Sequence, residues 1–224
     1  MVFLKLLSAQ RKINFIKKIY RQNGAKYMGD NQINSAYISG TELMGENLRD
    51  KLKFCGNGVR LHPLVKILKP ENAIIEDYAR LCDFVFIDSG KSLRIGKYST
   101  ITWQVVIEGG AETNIGHRAF VGPGTKILTS TYALDEYFSC EHLPGDTKST
   151  VYGDIVIEDD AYVGANCVLL PGTILRQGAV LGAGSTAKGE LEAWTVYFGT
   201  PCRPIRKRIP PTEERFKIIE SMNW

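Results

Sequence analysis

The feature that most constrains this chain is a comb of apolar residues at intervals of six. From Ile157 an aliphatic or small residue recurs at Val163, Leu169, Leu175, Leu181, Ala187 and Ala193. Four places after each of the first five stands a small residue: Ala161, Cys167, Thr173, Ala179 and Ser185. An amphipathic helix repeats at three and four, and a half-buried strand at two, so neither accounts for a period of six. Upstream the comb reads Ile75, Leu81, Ile87, then Ile95, Ile101, Ile107, then Ile115, Val121, Ile127. Each of these triplets begins 20 residues after the last, and Val59 with Val65 reads as a partial earlier coil. The interval from Ile127 to Ile157 is 30, so an insertion interrupts the pattern there.

The comb predicts an all-β solenoid with three faces per coil. One large side chain per face points to the axis, and the small residue four places on lets the chain turn without crowding. Gly, Asn and Asp near the corners tolerate unusual backbone angles. Five or six coils would make a prism roughly 25 Å long at ordinary strand spacing. Its open ends need covers, which divides the chain into residues 1–55, a helix and connecting segment; 56–200, the solenoid, with an inserted loop at about 130–152; and 201–224, a carboxyl-terminal helical cap.

This repeat resembles that of the hexapeptide-repeat acyltransferases over about residues 57–208, and the resemblance implies a left-handed parallel β-helix. The stretch GAGSTAKGELEAWTVYFGTPCRPIRKR, residues 182–208, is similar to the end of the sugar acetyltransferase branch of that family. Members of the branch use acetyl-CoA as acyl donor and assemble as homotrimers with clefts between prisms. By resemblance, Ala165 and Ala183, each after a glycine, admit the pantetheine arm, and Lys188, Arg203 and Arg206 meet the nucleotide phosphates. Arginine suits phosphate because its planar fork donates two parallel hydrogen bonds. The family often reads Thr-Lys where this chain has Lys188-Gly189, which displaces the lysine by one place.

Related sugar O-acetyltransferases carry Thr-His-x-Leu-Asp in the inserted loop, the histidine serving as base. Here the run is Thr131-Tyr132-Ala133-Leu134-Asp135, with Asp135-Glu136-Tyr137 following the acidic-aromatic pattern of a sub-branch. The one imidazole of the loop, His142 beside Glu141, is then the candidate base, with a carboxylate such as Asp135 or Glu141 to orient it. Glu108, Tyr132, Tyr137 and Glu141 are the candidates for contact with the sugar. A sugar hydroxyl needs a base, whereas an amino sugar can enter as the free amine. The tyrosine at 132 therefore tilts the expectation toward N-acetylation of a nucleotide-linked amino sugar in surface-polysaccharide (O-antigen or capsule) synthesis. O-acetylation of an oligosaccharide or polysaccharide and a non-catalytic scaffold are the alternatives. The γ-class carbonic anhydrases share the repeat but need three histidines on zinc. This chain has only His62, His117 and His142, none paired at ligand spacing, so no metal is expected. His62 reads as structural, His117 as corner decoration, and Asp159-Asp160 as solvated corner carboxylates.

Composition adds boundaries. Formal charge is +4 on 224 residues, too mild to argue for nucleic acid. Residues 1–29 carry Lys5, Arg11, Lys12, Lys17, Lys18, Arg21 and Lys26 and no acid. Within residues 2–22, Phe3, Leu6, Leu7, Ile13, Ile16 and Ile19 recur at helical spacing opposite these cations. Such a helix packs on its own domain or lies on an anionic membrane surface. No apolar run is long enough to span a bilayer, and no cleavage site follows the basic start. Five cysteines without regular spacing suit a reducing compartment, so a cytoplasmic protein is expected.

Overall fold

A computed structural model describes residues 41–221 apart from 134, 136, 137 and 139–148. The basic amino-terminal segment lies outside the described residues. From Phe54 onward the chain winds through seven coils and lays down three parallel walls. The first wall holds seven strands, from Phe54–Cys55 to Glu190–Leu191. The second runs in parallel from Arg60–Leu61 to Thr195–Gly199, and Cys202–Lys207 is added antiparallel at its end. The third holds six, from Lys66–Leu68 to Thr186–Ala187. The first corner joins the first and second walls, the second corner joins the second and third, and the third corner returns the chain to the first wall one coil on. Seven rungs span about 29 Å at a spacing of about 4.8 Å.

The period of six has a local cause. At the first corner, and at most turns of the second, the inward residue is followed three places later by a residue with positive φ, and then by a small buried residue. Ile95 leads to Tyr98 at φ 60° and buried Ser99; Leu81 leads to Phe84 at φ 63° and buried Val85. At the first corner that positive-φ residue donates its N–H to the coil before it, as Tyr98 does to the Asp77 carbonyl at 3.1 Å. Large side chains occupy several of these left-handed positions, which costs conformational energy. Stacking down the column offsets some of the cost: the rings of Tyr78 and Tyr98 lie parallel, 5.2 Å apart. The axis is filled by fully buried Ile75, Leu81, Ile87, Ile95, Ile101, Ile107, Ile115, Ile127 and their successors in one continuous column.

Three details depart from the sequence reading. Val59 and Val65 are corner residues, and the inward comb of the first coil is Cys55, Leu61 and Ile67, each in register with Ile75, Leu81 and Ile87. The first coil is therefore complete, and the solenoid has more coils than expected. At the other end Ala193 is exposed, and Leu191 takes the inward place opposite Leu175. The third corner there, at Lys188-Gly189, is two residues tighter, with Gly189 at φ 80°. Third, the corner carboxylates are engaged: Asp159 accepts from the His117 N–H at 2.7 Å, and Asp160 binds Arg118 Nε at 2.6 Å.

Both ends are covered. The 3₁₀ segment Gly45–Lys51 places Leu48 on the axis, fully buried, and Gly45 donates to the Val65 carbonyl at 2.9 Å. At the far end Tyr197 closes the shaft, its hydroxyl accepting from the Glu192 N–H at 3.0 Å. A short helix, α1 (Glu213–Ser221), ends the described chain.

Candidate active site

The second corner stacks turn upon turn of small residues. Gly122, Gly164 and Gly182 are successive in one column, and a β-carbon on Gly164 would stand 2.5 Å from the Ala183 nitrogen. Only glycine fits at Gly122 and Gly164. Ala165 and Ala183 follow in the next column and lie one above the other, Gly184 N–H donating to the Ala165 carbonyl at 2.8 Å. Among the described residues the N–H groups of Ala165 and Ala183 have no acceptor. The corner thus offers two aligned backbone donors beside side chains no larger than methyl. Beneath them the Phe198 ring lies against Gly182. Cys167, behind the corner, donates its thiol to the Gly182 carbonyl at 3.2 Å, and burial pushes its pKa up. It is a packed thiol, not a thiolate.

Just past this corner the chain passes Thr200-Pro201 and doubles back. The returning strand Cys202–Lys207 pairs Arg203 with Phe198 and Arg206 with Val196, with a register shift between Val196 and Tyr197. Ile205 is the extra residue of a bulge, and bulges re-aim side chains. Without it, residues three apart would face opposite ways. With it, both arginines share the outer face of the second wall. Among the described residues each guanidinium bonds only a neighbouring backbone carbonyl, Cys202 at 3.1 Å and Lys207 at 3.2 Å. Their neighbours are occupied: Lys207 pairs with Glu192 at 2.7 Å, and Arg208 lies over the Trp194 ring. Lys188 is exposed at the third corner, across the third wall from these two.

The third corner carries the insertion. Its expected irregular loop starts as an antiparallel ladder, Ser130–Tyr132 against Thr150–Tyr152. Buried Thr129 anchors the base, its N–H donating to the Glu108 carbonyl at 2.8 Å and its Oγ1 accepting from Ala111 N–H at 3.3 Å. Glu108 is exposed at the end of its strand, next to Gly109 at φ 136°, where a side chain would strike Thr129. Tyr132, half-buried, ends the outgoing strand opposite Thr150, and Asp135 is exposed beyond it. Tyr137, Glu141 and His142 lie outside the described residues. The sequence reading missed Tyr152, whose ring covers Gly110. A glycine pair opposite an aromatic on the returning strand was the available signal.

The structure therefore brings Glu108 and Tyr132 together with Tyr152 at the third corner. It brings Ala165, Ala183, Arg203 and Arg206 together at the second corner and second wall. His62 and His117 are both held by polar contacts within the corners. His62 Nδ1 lies 3.2 Å from Asp83 Oδ2. His117 Nδ1 accepts from Lys97 N–H at 2.9 Å, beside the Arg94–Glu76 pair. Among the described residues no helix is long and apolar enough to cross a membrane.

Comparison with known proteins agrees with this architecture. The repeat family described as the hexapeptide repeat of succinyl-transferase matches residues 154–186. The dTDP-4-amino-4,6-dideoxy-D-glucose acyltransferase of Escherichia coli is 28% identical over 158 residues, covering 70% of this chain and 82% of that protein. The galactoside O-acetyltransferase of Lactococcus lactis is 25% identical over 118 residues, and the match spans only 54% of its length. Among solved structures, the N-acyltransferase AntD of Bacillus cereus, in complex with dTDP and 3-hydroxybutyryl-CoA, superposes with a TM-score of 0.73. It is 24% identical and covers 79% of this chain and 94% of its own. A hexapeptide-repeat acetyltransferase of Vibrio cholerae complexed with acetyl coenzyme A, VCA0836, gives a TM-score of 0.53 at 27% identity, over 73% of this chain and 75% of its own. The six-residue comb, the three-walled shaft it builds and these likenesses give the chain hexapeptide repeats and the left-handed β-helix fold of the acyltransferases it resembles.

Proposed function

We propose that the protein transfers an acetyl group from acetyl-CoA to the amine of a nucleotide-linked sugar, of the kind used in building surface polysaccharides. One observation carries the reading. Two uncommitted arginines share a face just beyond a corner whose stacked small residues present free N–H donors. That arrangement matches a donor molecule with phosphates at one end and an amide-rich arm at the other. Arg203 and Arg206 would hold the phosphates, and the N–H groups of Ala165 and Ala183 would pair with the arm's carbonyls. The bound donor supplies the activated acyl carbon. A free backbone N–H of this corner is the natural partner for the oxyanion. The choice of acceptor is supported by the E. coli relative, which acts on a dTDP-linked amino sugar, and by the AntD complex with dTDP and an acyl-CoA.

Glu108, Tyr132, Tyr137 and Glu141 are the residues proposed for the acceptor side, with His142 taking the amine's proton and Asp135 orienting it. In a single chain the second and third corners are separated by the width of the third wall. A homotrimer, in which the loop of one copy reaches the second corner of the next, would join them. The cation at Lys188 then belongs to the same cleft. We place the protein in the cytoplasm, where acetyl-CoA and nucleotide sugars are made, with the basic segment 1–22 available for an anionic membrane surface.

O-acetylation is the second reading, supported by the galactoside O-acetyltransferase likeness. A thiol-release assay with acetyl-CoA separates the two. Amino sugars on dTDP should drive release, while their hydroxyl counterparts and free oligosaccharides should not. A preference for hydroxyl acceptors would establish O-acetylation instead. A non-catalytic scaffold would show no heat with coenzyme A in calorimetry.

A further inference from the structure

Four arginines of the solenoid and its first cover are tied to carboxylates. Arg49 binds Glu46, Arg94 binds Glu76, Arg118 binds Asp160, and Arg176 binds both Glu158 and Glu190. Arg60 and Arg80 depart from this pattern. Among the described residues neither side chain meets a carboxylate, and the two stand opposite each other on adjacent rungs of the second wall. Both face outward, because the following Leu61 and Leu81 are the buried members of each strand. Like charges directly opposite on neighbouring strands destabilise a sheet, and arginine does not relieve this by losing its proton. Among the described residues the Arg80 Nε is moreover buried without a hydrogen-bond partner. A buried donor left unpaired costs about 1–3 kcal/mol. Two facing guanidiniums and an unpaired donor thus stand without a carboxylate among the described residues.

The neighbouring second corner indicates which anion. It presents Leu64, Phe84 and Trp103, exposed to 42%, 60% and 49%. Aromatic faces of this kind stack a nucleic acid base with little regard to its identity. Asp83, the carboxylate of that corner, already accepts from Leu64 N–H at 3.0 Å and faces His62. It does not neutralise the arginines. The pair also shares its wall with Arg203 and Arg206, at the opposite end, about 29–34 Å away by strand spacing. Two cationic ends of one wall, joined by one corner, suit two phosphorylated reactants that meet between them.

We propose that Arg60 and Arg80 bind the diphosphate of the acceptor's nucleotide carrier, with its base stacked on the Phe84 and Trp103 ledge. This rests on the nucleotide-linked acceptor reading above. The guanidinium forks donate to the phosphate oxygens in parallel pairs, and the anion removes both the mutual repulsion and the unpaired Nε–H.

Calorimetry on the full chain tests the site with dTDP, inorganic pyrophosphate and coenzyme A as probes. Arg60→Gln and Arg80→Gln should each weaken dTDP and pyrophosphate about 10- to 100-fold, the loss expected for a charged hydrogen bond, and leave coenzyme A unchanged. Trp103→Ala should weaken dTDP but not pyrophosphate. Each arginine variant should also melt higher than the wild type without ligand, which separates lost binding from lost folding. If dTDP binds both variants as it binds the wild type, the site is overturned while the acceptor reading stands. If the wild type binds coenzyme A but neither dTDP nor pyrophosphate, the site is again overturned, and thiol release with nucleotide-linked amino sugars then decides the acceptor reading separately.

Discussion

Arg203 and Arg206 face the same way although three residues separate them, because the ladder between Thr195–Gly199 and Cys202–Lys207 skips Ile205. Opposite partners across a strand pair share a face, and Phe198 and Val196, their partners, are two apart. The bulge converts an odd spacing into a shared one. Arg203→Gln and Arg206→Gln should therefore each raise the KM for acetyl-CoA about 10-fold or more, from the worth of a charged hydrogen bond, with little change in kcat. Deleting Ile205 should weaken coenzyme A comparably with both guanidiniums still present. Steady-state kinetics with acetyl-CoA varied checks both; an unchanged KM in the deletion variant would mean that the shared face is irrelevant.

Gly122 and Gly164 of the second corner are fixed by backbone, not by a flexible neighbour. A β-carbon on Gly122 would lie 2.5 Å from the Gly164 carbonyl carbon, and one on Gly164 as close to the Ala183 nitrogen. Gly164→Ala should push two coils apart and destabilise the protein by about 1–3 kcal/mol, the usual cost of overpacking. Urea unfolding would measure it. Gly172→Ala separates crowding from backbone strain, since nothing lies within 4 Å of a β-carbon there and any loss comes from its left-handed φ of 83°.

Acid should unfold this protein through its corner aspartates. Asp77 is held below the ordinary 3.8 chiefly by the Asn57 N–H and then by Lys97; Asp83 is held down chiefly by the Leu64 N–H, with His62 adding to it. A carboxyl with a lowered folded pKa contributes stability that is full above its unfolded value and is lost as pH falls through the folded one. The Tm should stay level down to about pH 5 and drop below about pH 4, where unfolded aspartate takes up protons. In the Asp77→Asn, Asp83→Asn double variant, part of that drop should disappear. A melting curve series against pH reads this directly.

His142 lies in the inserted loop, outside the described residues, and its proposed role is chemical. If it takes the proton from the attacking amine, His142→Ala should lower kcat by about 10²–10⁴. The acidic limb of the pH profile should vanish with it, and coenzyme A affinity should be kept. Full turnover in that variant would leave deprotonation to the amine itself and to water.

Much of the fold was legible because a solenoid writes its core directly into the sequence: inward residues recur at a fixed step, and corner residues recur beside them. The errors came where that step or its chemistry changed. Cys55 opens the first coil in place of an aliphatic, so Val59 and Val65 drew attention to the corners instead. The tight corner at Lys188-Gly189 shifted the comb from Ala193 to Leu191. The site was less legible, since a bulge depends on which residues pair across two strands. The isolation of Arg60 and Arg80 likewise depends on which carboxylates the other coils place elsewhere. Neither is a property of local spacing.

The central claim is acetyl transfer to the amine of a nucleotide-linked sugar, and the product tests it most directly. Wild-type protein should be incubated with acetyl-CoA and dTDP-4-amino-4,6-dideoxyglucose, and the sugar nucleotide examined by mass spectrometry and NMR. The account predicts one added acetyl group, in amide linkage to the sugar nitrogen. An acetyl ester on a hydroxyl, or an unmodified sugar nucleotide alongside acetylated free glycan, would contradict it.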